Sequence, residues 1–475
     1  MATRRASSSS RRRAAASPSR ARSEQEPASE VRFVEERVPP AGASNEKRAV
    51  STFAAEVKSI FLPVGYPESV RPEYLRFQAF DTLQAACSYL RNVLTTSAIL
   101  KAAGVGEEAA SPMAAALTWV LRDGIGMFGS LLFSYVAGAN FDVNVKEWRL
   151  FADIINDVGL TLDMFAPLAG PAGGTLVASL GAACKTICGL VAGATRASIT
   201  AHFALQGNLA DVSAKEGAQE TAVTLIGLVF GGLLARQLGD QPQMAWAAFT
   251  VLTMIHVWAN VLGVGALTFE TLNPQRAALT VRASWGALLR KAAREQAYAP
   301  GRDTGDLTSD GELLSAISPR AISRQERLWG PFVQWWRGPR VGVRLDELLD
   351  MGVGDGGAAQ LHALDEIYRD HGYFLRLTRS GVPKVALKSG ADGETALFAL
   401  LHCAALEQGG LLAGLDATRA SGPTLGVAER RALANSLALC DQSWPSLKAA
   451  WQQAGWKDIS LRLEHCGTTR VRIER

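Results

Sequence analysis

Between Phe61 and about Thr280 the chain alternates long apolar runs with short polar breaks, and the period-two alternation of a half-buried strand is almost absent. Helix starts are marked instead. Asp81 followed by Gln84 has the pattern of a capping box for a helix with Leu83, Ala86, Cys87, Leu90, Val93 and Leu94 on one side. Ser111 with Pro112, Asn273 with Pro274 and Ser318 with Pro319 each set an N-cap residue before a proline suited to a first helical turn. Between Asp240 and Glu270 lie 29 residues without Asp, Glu, Lys or Arg, more than the ~20 needed to cross a hydrocarbon core. Met113 to Ala139 is broken only by Arg122 and Asp123, Val158 to Cys184 only by Asp163, and Thr221 to Ala235 is uncharged but short. The pattern predicts a mainly α fold, a multi-helix and membrane-embedded bundle; a soluble bundle with apolar core helices is the alternative.

Past Arg282 the pattern changes. Residues 301–311 form a polar link rich in Asp, Gly and Thr, and Trp329, Trp335 and Trp336 stand in an aromatic segment with Arg337 and Arg340. Lys384 to Lys388 and Ile459 to His465 read as strands, the second continuing through Gly467 into Arg470 to Ile473 as a hairpin. Glu394 to Glu407 and Ala428 to Leu439 read as helices. The expected organisation is a basic leader over 1–50, a helical domain over 60–282, a helix and polar linker over 283–330, and a small soluble α+β domain over 331–475.

Charge sharpens this division. The 475 residues carry a net charge of +4, but 61–280 hold only 28 charged residues in 220 while 281–475 hold 47 in 195. The second density is that of a domain in water and the first is not. The basic excess sits in the leader, so no folded basic face is predicted and nucleic acid is excluded as a partner. The first 23 residues contain seven arginines and no acid before Glu24, a composition that resembles an organellar transit peptide; a disordered basic tail has the same composition. Cys87, Cys184, Cys188, Cys403, Cys440 and Cys466 lack the paired spacing of a structural zinc site and read as free thiols in a reducing compartment. Cys184 and Cys188, four apart, are expected to pack helices rather than bind metal.

Few motifs carry chemistry. Gly124, Gly126 and Gly129 spell GxGxxG without the preceding strand of a dinucleotide site, and Gly189 with Gly193 and Gly227 with Gly231 form GxxxG pairs; all read as helix-packing surfaces. Asp153 and Asp157 share one helical face with Arg149 a turn earlier, a candidate cation, proton or ligand site beside an apolar bundle. A second cluster comprises Asn208, Asp211, Ser213, Lys215, Glu216 and Glu220, in which Ser213 and Glu216 form a further capping-box pattern and the helix start offers free amides to an anion. The two clusters are expected to form one polar site, with Lys215 neutralising Asp153 or Asp157. Arg149, Asp153, Asp157, Asn208, Asp211, Lys215, Glu216 and Glu220 are therefore the ligand-binding candidates. His202 and His256 read as hydrogen-bonded packing residues, and His402 next to Cys403 points away from it on a helix. No catalytic triad, zinc spacing or phosphate loop is present in the sequence, so no catalytic or metal residue is assigned.

Four segments carry a resemblance. FLPVGYPESVRPEYLRFQAFDTLQAACSYLRNVL, LTWVLRDGIGMFGSLLFSY, KEWRLFADIINDVG and QGNLADVSAKEGAQET, in order between about residues 60 and 275, resemble the root UV-B sensitive (RUS) family; the tail after 282 resembles it more loosely. The resemblance implies membrane association, a role in ultraviolet-B responses or vitamin B6 homeostasis, and a plastid location ahead of a mitochondrial one. It implies no established chemistry, and the cofactor is left unknown. It makes pyridoxal phosphate on Lys215 a reading to test, although neither a phosphate cup nor a pyridine-nitrogen partner accompanies that lysine. The expectation is a non-enzymatic, transporter-like or scaffold protein of an organellar membrane, partnered by lipid and by another RUS-family chain in a homo- or hetero-oligomer. A cofactor-binding protein or enzyme with a site between residues 149 and 220 is the alternative.

Overall fold

The computed structural model describes residues 55–102, 112–138, 141–238, 241–298, 310–329, 339–349, 355–377, 382–408, 425–461 and 469–472. The leader, Ser111, Trp335, Trp336, Arg337, Cys466 and most of the 301–311 link lie outside these residues.

The described residues of the bundle form α1 (Tyr74–Ala102), α2 (Pro112–Ala137), α3 (Val145–Phe165), α4 (Gly170–Phe203), α5 (Leu209–Leu238) and α6 (Pro242–Ala266). Three of the expected boundaries move. The Asp81 and Gln84 pair lies inside α1, where the Gln84 amide bonds the Asp81 carboxylate side chain to side chain. The apolar stretch from Val158 to Cys184 is not one segment: Pro167 and Gly170, the latter at φ +72°, break it into α3 and α4 around a short 3-10 turn. Thr221 to Ala235, short by itself, is the distal stretch of the 30-residue α5.

Among the described residues three helices are long and apolar enough to cross a membrane by length and composition: Gly173–Phe203, Leu209–Leu238 and Pro242–Ala266. The apolar run of α2 is interrupted by Arg122 and Asp123, joined there by an ion pair of 3.3 Å. Close helix approach uses glycine as expected at some positions. A Cβ at Gly227 would stand 2.6 Å from the Tyr89 ring of α1, one at Gly231 2.9 Å from Val93, and one at Gly126 3.2 Å from Ala182 of α4. Gly189 and Gly193 depart from the expectation, with no atom within 4 Å of either Cβ position.

The C-terminal region has another construction. α7 (Pro274–Tyr298), α8 (Gly311–Ile317) and α9 (Pro319–Ser323) lead into β1 (Arg340–Val341), α10 (Leu345–Leu349), α11 (Asp355–Ile367), β2 (Tyr373–Leu377), β3 (Pro383–Leu387), α12 (Gly393–Gln408) and α13 (Val427–Gln453). The Asn273 and Ser318 caps form as expected, with Asn273 Oδ1 accepting from Arg276 N at 2.7 Å and Ser318 Oγ from Ala321 N at 3.3 Å. The sheet runs β1-β3-β2, parallel across the first pair and antiparallel across the second, with Tyr373 opposite Leu387. Its strands are short, and β2 is buried at every position, which hides the alternation by which a sequence announces a strand. Ile459 to Leu461 are irregular rather than a strand, Val471 bridges Lys388 in parallel, and residues 462–468, which hold the rest of the expected strand and the turn of the expected hairpin, lie outside the described residues. α13 runs past the expected end at Leu439 to Gln453, through Pro445.

Candidate functional site

Gln78, Asp81, Gln84, Ser88 and Arg91 recur every three or four residues along α1, so a helix aligns them in one stripe. The stripe faces inward. Arg91 is fully buried and Gln78 and Gln84 nearly so, while Leu75, Leu83 and Leu100 of the same helix are exposed. Groups from four other helices meet it. Toward the N-terminal end of α1, Gln78 Nε2 donates to Glu216 of α5 (3.2 Å), which also accepts from Thr200 Oγ1 of α4 (2.8 Å); Arg196 lies 3.7 Å from Glu216 and 2.7 Å from the exposed Glu220. One turn on, Asp81 accepts from Arg149 Nη2 of α3 at 2.9 Å, and Arg149 Nε lies 3.8 Å from Asp153. Deeper still, Arg91 Nη1 donates to Asp157 (2.5 Å) and Thr253 (3.2 Å), while His256 of α6 lies between Asp157 and Gln84 at 3.0–3.1 Å from each. Arg91 Nε and Nη2 have no hydrogen-bond partner among the described residues.

Arg149, Asp153 and Asp157 thus come together as expected, on consecutive turns of α3, but the cation facing Asp157 is Arg91. Lys215 does not belong to the site: its Nζ donates to the Ser59 carbonyl at 2.5 Å. The shared site neutralised by Lys215 is therefore corrected, because α5 presents Glu216 and not Lys215 to the bundle interior. Ser213 and Glu216 do not cap a helix either, since α5 already begins at Leu209. Asn208 donates to the Ser69 carbonyl (3.2 Å) and Asp211 accepts from Val64 N (2.7 Å), so both fasten the chain ahead of α1. Arg91, Gln78, Gln84 and His256 are not among the residues that the sequence assigns to a site. The signal for the first three is their three-to-four-residue polar spacing, which by itself fits a helix turning its apolar side inward equally well.

The side chains of the site form a hydrogen-bonded network, and a narrow recess lined by Phe77, Asp81, Arg149, Ala259, Asn260, Gly263 and Val264 lies beside it. No cluster of metal-ligating side chains occurs among the described residues. His202 bonds Glu73 at 3.0 Å, the packing role expected of it, and His402 sits between Tyr373 Oη (3.0 Å) and Ser436 Oγ (2.7 Å).

Two ionic joints tie the bundle to the C-terminal region. Lys146 at the start of α3 bonds Ser323 (2.6 Å) and Glu326, and Arg276 joins the same Glu326 at 2.8 Å. Burial, reinforced by the Glu326 charge, pushes the neighbouring Glu147 up to about 7. Arg71 clasps both oxygens of Glu270, which Lys457 meets at 3.1 Å. The Arg71 hydrogen bonds hold Glu270 down to about 2.

The sequence of this region matches the family model of the vitamin B6 photo-protection and homoeostasis domain over residues 47–285. The chain is 44% identical over 223 residues to protein root UVB sensitive 3 of Arabidopsis thaliana, covering 47% of this chain and 50% of that protein. It is 40% identical to RUS family member 1 of Dictyostelium discoideum (46% and 42% covered) and 36% identical to protein root UVB sensitive 2, chloroplastic, of Arabidopsis thaliana (46% and 50%). The match spans about half the length of these curated relatives. No solved structure matches. With the matched residues reaching from before α1 into α7 and enclosing the whole polar stripe, the chain belongs to the root UVB sensitive family.

Proposed function

We propose that the bundle is an integral body of an organellar membrane and a transporter-like component of vitamin B6 homeostasis, with the polar stripe of α1 as its working interior. The observation that carries this reading is the burial of Arg91, Asp153, Asp157 and Glu216 inside the bundle together with large apolar side chains exposed on its outer faces. Leu121, Phe128, Leu131 and Val136 of α2 and Leu225, Val229 and Phe230 of α5 are all more than half exposed, an arrangement that is costly in water and natural in lipid. Ionisable groups kept inside such a bundle line substrate or ion pathways more often than they add stability.

Carbonate washing of membranes that carry the full chain tests the first half of the reading. Retention in the pellet supports it and release into the supernatant removes it. Uptake of labelled pyridoxal or pyridoxine into vesicles reconstituted with the protein tests the second half; a membrane-bound protein without uptake would be a scaffold instead. The name of one relative specifies chloroplasts, and fusion of residues 1–50 to a fluorescent reporter tests a plastid address for this chain. The pyridoxal phosphate reading has less support, because Lys215 Nζ is engaged with the Ser59 carbonyl. A second RUS-family chain as partner is tested by co-purification of two differently tagged copies.

A further inference from the structure

Gln84 fixes the hydrogen on one side of His256. Its amide nitrogen lies 3.1 Å from Asp81 Oδ1, which already accepts from Arg149. A carboxylate accepts and does not donate, so this nitrogen must face Asp81 and the amide oxygen must face His256 Nε2, 3.1 Å away. That oxygen needs a hydrogen from Nε2. In a neutral imidazole, Nδ1 is then a bare lone pair, and it stands 3.0 Å from Asp157 Oδ1 and 3.1 Å from Oδ2. Asn260 does not relieve this. Its Nδ2 is almost equidistant from the two ring nitrogens (3.4 and 3.2 Å), so it lies over the ring, and it donates to the His256 carbonyl at 3.1 Å. A lone pair against a carboxylate at this distance is repulsive, and one additional proton turns it into a hydrogen bond.

Charge counting asks for the same proton. Arg91 and Asp81 of α1, Arg149, Asp153 and Asp157 of α3, and His256 of α6 form the cluster, with the Cys87 and Cys188 thiols beside it from α1 and α4. From α5, Glu216 faces Asp81 while paired with Arg196. Two guanidinium groups oppose three carboxylates, leaving the buried cluster one positive charge short while His256 is neutral.

We propose that Asp157 and His256 form a proton-binding site that holds one exchangeable proton between carboxylate and Nδ1, and that this proton is the coupling ion of the bundle. Its release leaves Nδ1 and Asp157 in repulsion and loosens the contact of α6 with α3, while Arg91 keeps Asp157 on α1. The coupling role rests on the transporter-like reading above; the proton site rests on geometry alone.

Asp157→Asn separates the two. An asparagine amide can donate to Nδ1 and its oxygen can accept from Arg91, so this variant keeps every hydrogen bond and lacks the exchangeable proton. Full-length protein in detergent, titrated from about pH 5 to about pH 9, should release one proton more than Asp157→Asn. Equal release overturns the site. Nitrogen-15 histidine spectra of the wild type give a second measurement that does not depend on the variant folding: a His256 with both ring nitrogens protonated, or with Nδ1 accepting from a protonated carboxyl, is expected at acid pH, and an Nδ1 lone pair beside an ionised Asp157 at every pH overturns the site. In vesicles, an inward proton gradient should stimulate vitamer uptake by wild type and not by Asp157→Asn. A titrating site in detergent with uptake indifferent to the gradient removes the coupling role and leaves the proton site standing.

Discussion

The bundle and the C-terminal region solve burial in opposite senses. Beyond the bundle a single continuous apolar core runs from Leu272 through the sheet to Leu461, and among the described residues there few large apolar side chains, Leu289, Trp329, Val427 and Leu439, are exposed. In the bundle the apolar core is divided into small clusters around Phe203, Trp148 and Leu160, while Arg91, Asp153 and Asp157 are buried and leucines such as Leu75, Leu131 and Leu225 are exposed. The C-terminal region is held by what it hides from water. The bundle is held by close helix contact and by ion pairs strengthened by low surrounding polarity.

The largest expected effect tests that contrast at its centre. Arg91→Ala leaves Asp157 buried beside a truncated partner and should cost about 3–5 kcal/mol, as much as truncating a fully buried leucine such as Leu401 in the C-terminal core, about 2–5 kcal/mol. Thermal unfolding in detergent reads both. Adding Asp157→Asn should recover much of the Arg91→Ala loss, because the carboxylate that lost its partner is then gone, whereas no second polar substitution should rescue Leu401→Ala. A cost under ~1 kcal/mol for Arg91→Ala would show that the stripe is solvated and the contrast mistaken.

The outer surfaces should differ as sharply. Leu131→Arg on α2 and Leu439→Arg on α13 both change an exposed leucine. In lipid the first should cost about 2.5–3.5 kcal/mol of insertion, while the second should stay within about 0.5 kcal/mol, as surface substitutions in water do. Yield in the carbonate-washed membrane pellet checks the first and the unfolding temperature the second. Equal tolerance of both would place the bundle in water.

A smaller effect separates the two faces of α5. Gly231→Ala pushes a methyl group to 2.9 Å from Val93 and should cost about 1–3 kcal/mol. Gly232→Ala, at the next residue, meets open space and should be neutral or gain up to ~1 kcal/mol of helix propensity. Similar costs at both positions would mean that a partner covers the outer face.

This division explains how much can be read from the sequence. Helix caps at Asn273 and Ser318, the apolar run over 241–269 and the face shared by Arg149, Asp153 and Asp157 are local patterns, and they are legible as such. The sense of α1 is not: a helix with one polar and one apolar side is compatible with either orientation, and only its neighbours decide which side turns inward. His256 is legible as a buried histidine but not as the link between Gln84 and Asp157, since its partners are 172 and 99 residues away in the chain. β2 leaves no signal because all five of its residues are buried and nothing alternates.

The joint between the two regions carries the smallest effects and shows both signs of pH dependence. Glu270, held down to about 2 by Arg71, stays ionised in the folded protein over a range where the unfolded chain, near 4.5, takes up a proton. Its contribution is complete above about pH 4.5 and is lost as the pH falls toward 2. Glu147, raised to about 7 by burial, keeps its proton in the folded protein after the unfolded chain has released it. Stability therefore falls as the pH rises from about 4.5 to about 7, and the cost is complete above that. Glu147→Gln should stabilise by on the order of 1 kcal/mol at about pH 8 and change nothing at about pH 4. Glu270→Gln should do the reverse, destabilising by on the order of 1 kcal/mol near neutrality and losing its effect in strong acid. Unfolding temperatures of the two variants across pH should cross. Parallel curves would mean that neither carboxyl is held as placed here, and that the bundle and the C-terminal region meet without an ionic joint.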